Sequence, residues 1–141
     1  MNDYSGQSLE SSDFAGKNLS GARFRGSNLV GSNFQSANLQ NAVLKYANAS
    51  KANFQRANFY RSLCAGGTFC EADFTLANLS NVDFKNADLR GANLSGADLS
   101  EARLSGANLS GANLEGATLF RCLDSRKTIW PAGHQQSKFG H

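Results

Sequence analysis

Ala87-Asp88-Leu89-Arg90-Gly91-Ala92-Asn93-Leu94-Ser95-Gly96 is one five-residue unit written twice: small, polar, large apolar, variable, glycine. Extended in both directions, the unit holds its phase from Tyr4 to Leu119, twenty-four consecutive times. The large central residue is Leu or Phe everywhere except at Tyr4, Ala49 and Cys64, and no charge ever occupies it. Two positions earlier stands Ala in most units, with Ser, Gly, Lys or Val in most of the others. A helix would smear a period of five around its circumference, and a flat strand would alternate every two residues. A chain that turns a corner after every fifth residue accommodates it. The centre and the small residue then point inward, and the Asn or Asp between them points outward.

The 141 residues make one domain, and their bias toward Gly, Asn, Ser and Ala, with one Pro, is resolved as a repeat by this period. The units Ala87 to Gly91 and Ala92 to Gly96 resemble the signature of the pentapeptide-repeat family, and the resemblance covers residues 2–121. It implies an all-β fold, a right-handed quadrilateral β-helix. About six coils are expected, a tower roughly 29 Å long at 4.8 Å per coil, with a solenoid over 1–121 and a cap and tail over 122–141.

The residue two after each centre is Gly in eleven units, which suits the positive φ of a type II corner. Tyr46, Lys51, Arg56 and Arg61 fill four successive corners and tolerate positive φ poorly, so a different turn type is expected there. The outward Asn and Asp are placed to form amide ladders between coils. After Leu119 the phase is expected to stop, with Phe120, Leu123, Ile129 and Trp130 folding over the last coil and Trp130-Pro131 ending the ladder. The stretch Thr128-Ile129-Trp130-Pro131-Ala132-Gly133 resembles tails on cyanobacterial members of the family, and His134 to His141 are expected to be mobile. Repeats begin almost at Met1 with no amphipathic helix ahead of them, so the expected states are a monomer or an end-to-end homodimer through the N-terminal coil.

Chemistry is sparse. Both histidines lie in the tail, so a metal set of Cys122, His134 and His141 lacks paired spacing and they read as solvated side chains. The glycines sit at corners, not in a phosphate-cradling loop. Cys64 takes a core centre, and Cys70 follows a centre and is expected to be exposed. No catalytic residue, cofactor or metal is assigned, and the chain is expected not to be an enzyme. A leader-like start and an apolar run of membrane-spanning length are both missing from the sequence, so a cytoplasmic protein without a membrane partner is expected.

Sorting units by a period of twenty separates four faces, and one departs from the Asn/Asp rule. Before its centres it carries Arg23, Val43, Leu63 and Arg103 beside Asp3 and Asp83, and after them Arg25, Lys45, Ala65 and Lys85. Five basic groups thus surround an apolar middle of Val43, Leu63, Ala65 and the corner Tyr46, a composition that marks protein interfaces. The expected function is a protein-interaction scaffold, regulatory by analogy with the family, with an unidentified protein partner on this face. The alternative is the DNA-mimicking gyrase modulator that the resemblance also allows. It requires a strongly acidic tower, whereas the net charge here is +3. Direct nucleic-acid binding is disfavoured by the few positive groups and the lack of stacking aromatics beyond Tyr46.

Overall fold

In the computed structural model, which describes residues 2–134, each outward residue before a centre from Asp3 to Arg103 pairs in parallel with the residue twenty positions on. Four such ladders run side by side. Face 1 links Asp3, Arg23, Val43, Leu63, Asp83, Arg103 and Leu123, and face 2 runs from Ser8 through Asn48 to Asn108 and Ile129. Face 3 runs from Asp13 to Asn113 and face 4 from Asn18 to Thr118. Each pairing is a single bridge, because the chain bends away before a longer strand can form.

The interior follows from the alternation of sizes. The centres from Leu19 to Leu109 are essentially inaccessible, and the alanines two positions earlier are buried between them. On face 3 the rings stack as a column, Phe14 on Phe34 at 4.8 Å, Phe34 on Phe54 at 5.1 Å and Phe54 on Phe74 at 5.0 Å. Rings from neighbouring faces meet edge-on, as Phe54 meets Phe59 at 4.9 Å. Such offset and T-shaped contacts add to the hydrophobic gain of burial. Serine is tolerated at the small inward position because its hydroxyl bonds locally. Ser27 and Ser32 each donate to the carbonyl of the preceding centre, Phe24 and Leu29, at 2.7 Å.

The corners depart from the sequence expectation. All of them, from Gly6 to Arg121, have positive φ, including Tyr46 (60°), Lys51 (62°), Arg56 (58°) and Arg61 (58°). No separate turn type exists at these four. From Gly6 to Glu101 the N–H of each corner residue donates to a carbonyl of the next coil, for example Lys51 to Cys70 at 2.9 Å and Arg56 to Thr75 at 3.0 Å. The stack therefore imposes the left-handed conformation, at a local cost of about 1–2 kcal/mol per non-glycine corner. Side chains at the corners lean toward the coil that follows. Tyr46 lies against Gly66 and Leu76 against Gly96, where a Cβ would come within 2.5 Å and 2.7 Å of them.

The outward Asn and Asp also behave differently from the ladder expectation. Amide-to-amide bonds between coils occur from Asn38 to Asn18 at 3.3 Å and from Asn78 to Asn58 at 3.4 Å. The recurrent bond is local: the side-chain oxygen accepts the backbone N–H two residues on, as Asn58 accepts from Tyr60 and Asn93 from Ser95, both at 3.0 Å. This Asx turn satisfies a donor that faces away from the ladder.

At the C-terminal end the phase runs on past Leu119, with Cys122 buried and Leu123 bridged to Arg103. One extra residue then enters, so that Asn108 pairs with Ile129, twenty-one positions away. The Ser125 hydroxyl absorbs the slip by accepting the N–H of Gly106 at 3.2 Å, and the Thr128 hydroxyl donates to the Leu104 carbonyl at 2.7 Å. Of the four apolar residues expected to fold over the last coil, only Trp130 packs against the core. Phe120, Leu123 and Ile129 occupy outward positions and are exposed, because the continuing alternation turns them away from the interior. Trp130 is held by a bond from its indole N–H to Asp124 at 3.3 Å and by the His134 ring stacked on it at 4.4 Å. The expectation for the tail after His134, including His141 as a metal ligand, lies outside the described residues.

Candidate interaction face

Face 1 assembles from residues far apart in sequence because the period of twenty stacks them. Arg23, Val43, Leu63, Asp83 and Arg103 form one bridged ladder, so Val43 and Leu63 are immediate neighbours between basic and acidic rungs. Arg25, Lys45, Ala65 and Lys85 follow the centres on the same rungs. Arg23, Arg25, Lys85 and Arg103 are exposed, whereas Val43, Lys45 and Ala65 are half-buried. Leu63 is 37% exposed and Tyr46 61%. Tyr46 bounds the patch on one edge, with the Arg25 guanidinium over its ring at 4.9 Å and the Gly66 corner beneath it. That cation–π contact fixes two long side chains in one place.

The face has a second edge, which its outward ladder positions alone do not reveal. The corner column Arg61, Asn81, Glu101 and Arg121 stands beside Leu63, Asp83, Arg103 and Leu123, and shallow hollows lie between the two columns. A period of twenty was the available signal, since each of these corner residues precedes a face 1 ladder residue by two positions. Gly66, whose missing side chain admits Tyr46, is by sequence alone indistinguishable from the other corner glycines.

Electrostatically the face is mixed with a basic excess. The Ser5 hydroxyl and N–H, aided by the Arg23 charge, hold Asp3 below the ordinary carboxylate range against a small opposing effect of burial. Elsewhere, on face 2, Arg90 bonds Asp88 at 2.8 Å and lowers its carboxyl in the same sense.

The thiols are quiet. Burial pushes Cys64 up to about 12 and Cys122 up to about 11. Cys70 is half-buried, not exposed as expected, and is raised by burial and by its contact with Asp88. All three therefore remain protonated near neutral pH. Among the described residues no group of three or more His, Cys, Asp or Glu side chains is placed to hold a metal ion, and no helix is long and apolar enough to cross a membrane.

The family model for pentapeptide repeats matches in eight copies across residues 8–41, 37–75, 52–96 and 83–119. No curated protein matches the chain. Among solved structures it is similar to a pentapeptide repeat protein from the Arabidopsis thaliana thylakoid lumen, at 30% identity over 65% of this chain and 68% of that one, with a TM-score of 0.58. It is also similar to one from Nostoc PCC 7120, at 30% identity over 77% and 81% of the two chains with a TM-score of 0.43. A third, from the cyanobacterium Cyanothece 51142, shares 23% identity over 92% and 88% with a TM-score of 0.46. The family-model match across residues 8–119, the five-residue period, the four parallel ladders and the likeness to the thylakoid-lumen protein together establish that the chain belongs to the pentapeptide-repeat family, with its right-handed quadrilateral β-helix.

Proposed function

We propose that the chain is a non-enzymatic scaffold that captures a protein partner on face 1 and acts as a regulator through that contact in the cytoplasm. The observation that carries this reading is that apolar and basic residues replace the outward polar ones, between residues 3 and 118, on a single face: Val43 and Leu63 are adjacent on its ladder and are rimmed by Arg23, Arg25, Lys45 and Arg103. The fold itself does not require the break, since the backbone bonds beneath Val43 and Leu63 match those elsewhere. Leu44 donates to the Leu63 carbonyl at 2.7 Å, as Phe59 does to that of Asn78. A rigid, regularly bonded surface of this kind suits recognition with little rearrangement on binding.

The test is capture of partners from the native organism by the immobilised chain. Leu63→Glu places a carboxylate in the apolar middle without touching the core, so capture is expected to be lost while the thermal midpoint shifts by no more than that of a typical surface substitution, within about 0.5 kcal/mol. Undiminished capture by this variant rules face 1 out as the contact.

A further inference from the structure

Face 1 lacks more than polar side chains. On the other faces the outward Asn or Asp accepts the N–H two residues on, as Asn53 does for Gln55 and Asn38 for Gln40, both at 3.0 Å. At three successive rungs of face 1, Arg23, Val43 and Leu63 stand where that acceptor would be. Among the described residues the N–H groups of Arg25, Lys45 and Ala65 consequently have no protein acceptor. These donors point outward in a column about 10 Å long, the length of roughly three extended residues. Two residues of the column, Lys45 and Arg25, are cationic, the Arg25 guanidinium lies on the Tyr46 ring, and the Val43–Leu63 pair is on the adjoining ladder.

Three demands meet here: outward backbone donors seek acceptors, the cations seek negative charge, and the apolar pair seeks an apolar side chain. We infer, resting on the interaction role proposed for this face, that its partner presents an acidic extended segment. Carboxylate and carbonyl oxygens of that segment accept the N–H groups of Lys45 and Ala65, and one apolar side chain lies on Val43 and Leu63. A phosphodiester chain meets the first two demands but offers no aliphatic side chain for the Val43–Leu63 pair. A second copy of the chain is a poorer fit, because no face of the tower is strongly acidic.

The probe is an acetylated, amidated Asp-Leu-Asp-Leu-Asp peptide, titrated into the full chain labelled with nitrogen-15. The amide resonances of Lys45 and Ala65 are expected to move downfield with saturation, while those of the internally capped Gln55 and Ser95 stay in place. The decisive variant is Val43→Asn with Leu63→Asn, which restores the residue that the other faces carry and supplies internal acceptors while keeping every charge. It is expected to weaken binding about ten-fold or more.

Four results overturn the inference: no movement at the two amides, binding by the double variant within two-fold of the parent, stronger shifts with short single-stranded oligothymidine, or the same shifts produced by raising protein concentration alone. Any of these, combined with loss of capture by Leu63→Glu, removes the acidic chemistry and leaves the interaction face intact. Undiminished capture by Leu63→Glu removes the face itself.

Discussion

Faces 1 and 4 share a backbone and differ in what covers it. On face 4, Asn18, Asn38, Asn58, Asn78 and Asp98 each accept the N–H two residues on, and two amide-to-amide bonds tie neighbouring coils. On face 1, Arg23, Val43 and Leu63 provide nothing comparable, yet the ladder there is as short and regular. The outward residue is thus a local finish on a ladder that the core and the main chain already determine. Surface identity and fold stability are separable here, and substitutions on and beneath the two faces test that separation.

The largest effect belongs to what the two faces have in common. Phe59→Ala beneath face 4 and Leu44→Ala beneath face 1 remove fully buried side chains. Losses of about 3–5 and 2–5 kcal/mol respectively are expected in chemical denaturation. A much smaller loss beneath face 1 would mean that its divergent surface accompanies a looser core. Next comes the edge of face 1. Gly66→Ala combines φ of 68° with a clash against Tyr46 and should cost about 2 kcal/mol, part of which Tyr46→Ala in the same chain restores. Simple additivity of the two substitutions would show that the ring does not lie on that corner in solution.

Smaller still is the finish itself. Asn58→Ala uncaps the Tyr60 N–H and is expected to lower stability by about 1 kcal/mol, whereas Val43→Ala, which uncaps nothing, should cost less than half of that. Equal losses on the two faces would contradict the local role of the Asx bond. The smallest effect is in pH. The Arg90 bond lowers the Asp88 carboxyl in the folded chain, so its contribution is present above the unfolded carboxyl range near pH 4 and disappears as the pH falls through the lowered folded value. Asp88→Asn keeps an oxygen for the Arg90 N–H but loses the ion pair. The gap in melting temperature between parent and variant, read at about pH 6, should therefore close by about pH 2. A gap that widens with acid would reverse the assigned sign.

Much of this was legible in the sequence because a strict period writes position directly into residue type. The inward Leu and Phe, the small residues two places before them and the stacking of Arg23, Val43, Leu63 and Arg103 on one side all follow from counting by five and by twenty. What was not legible depends on balances that counting ignores. Tyr46, Lys51, Arg56 and Arg61 look incompatible with positive φ one at a time, but hydrogen bonds to the following coil outweigh that local preference. Asn and Asp can serve a neighbour across the ladder or their own chain, and the nearer N–H takes most of them. The tail concealed its continuity because Thr128-Ile129-Trp130 repeats the small, outward, large pattern one residue out of step, and only the Ser125 and Thr128 hydroxyls reveal how the extra residue is housed. The uncapped donors of face 1 could not be seen at all until the role of the capping side chain was known.

The lean of the corner side chains gives this molecule a direction that its symmetric cross-section hides. Tyr46 rests on Gly66, Leu76 on Gly96 and Asn86 on Gly106, always toward the C-terminus. A bulky corner therefore needs a small or yielding residue twenty positions downstream, and a small corner can be enlarged only once the side chain leaning on it from upstream is trimmed. Anyone rewriting an edge, to enlarge a recognition surface or to erase one, would have to work backward from the C-terminal end, clearing each site before filling the one ahead of it.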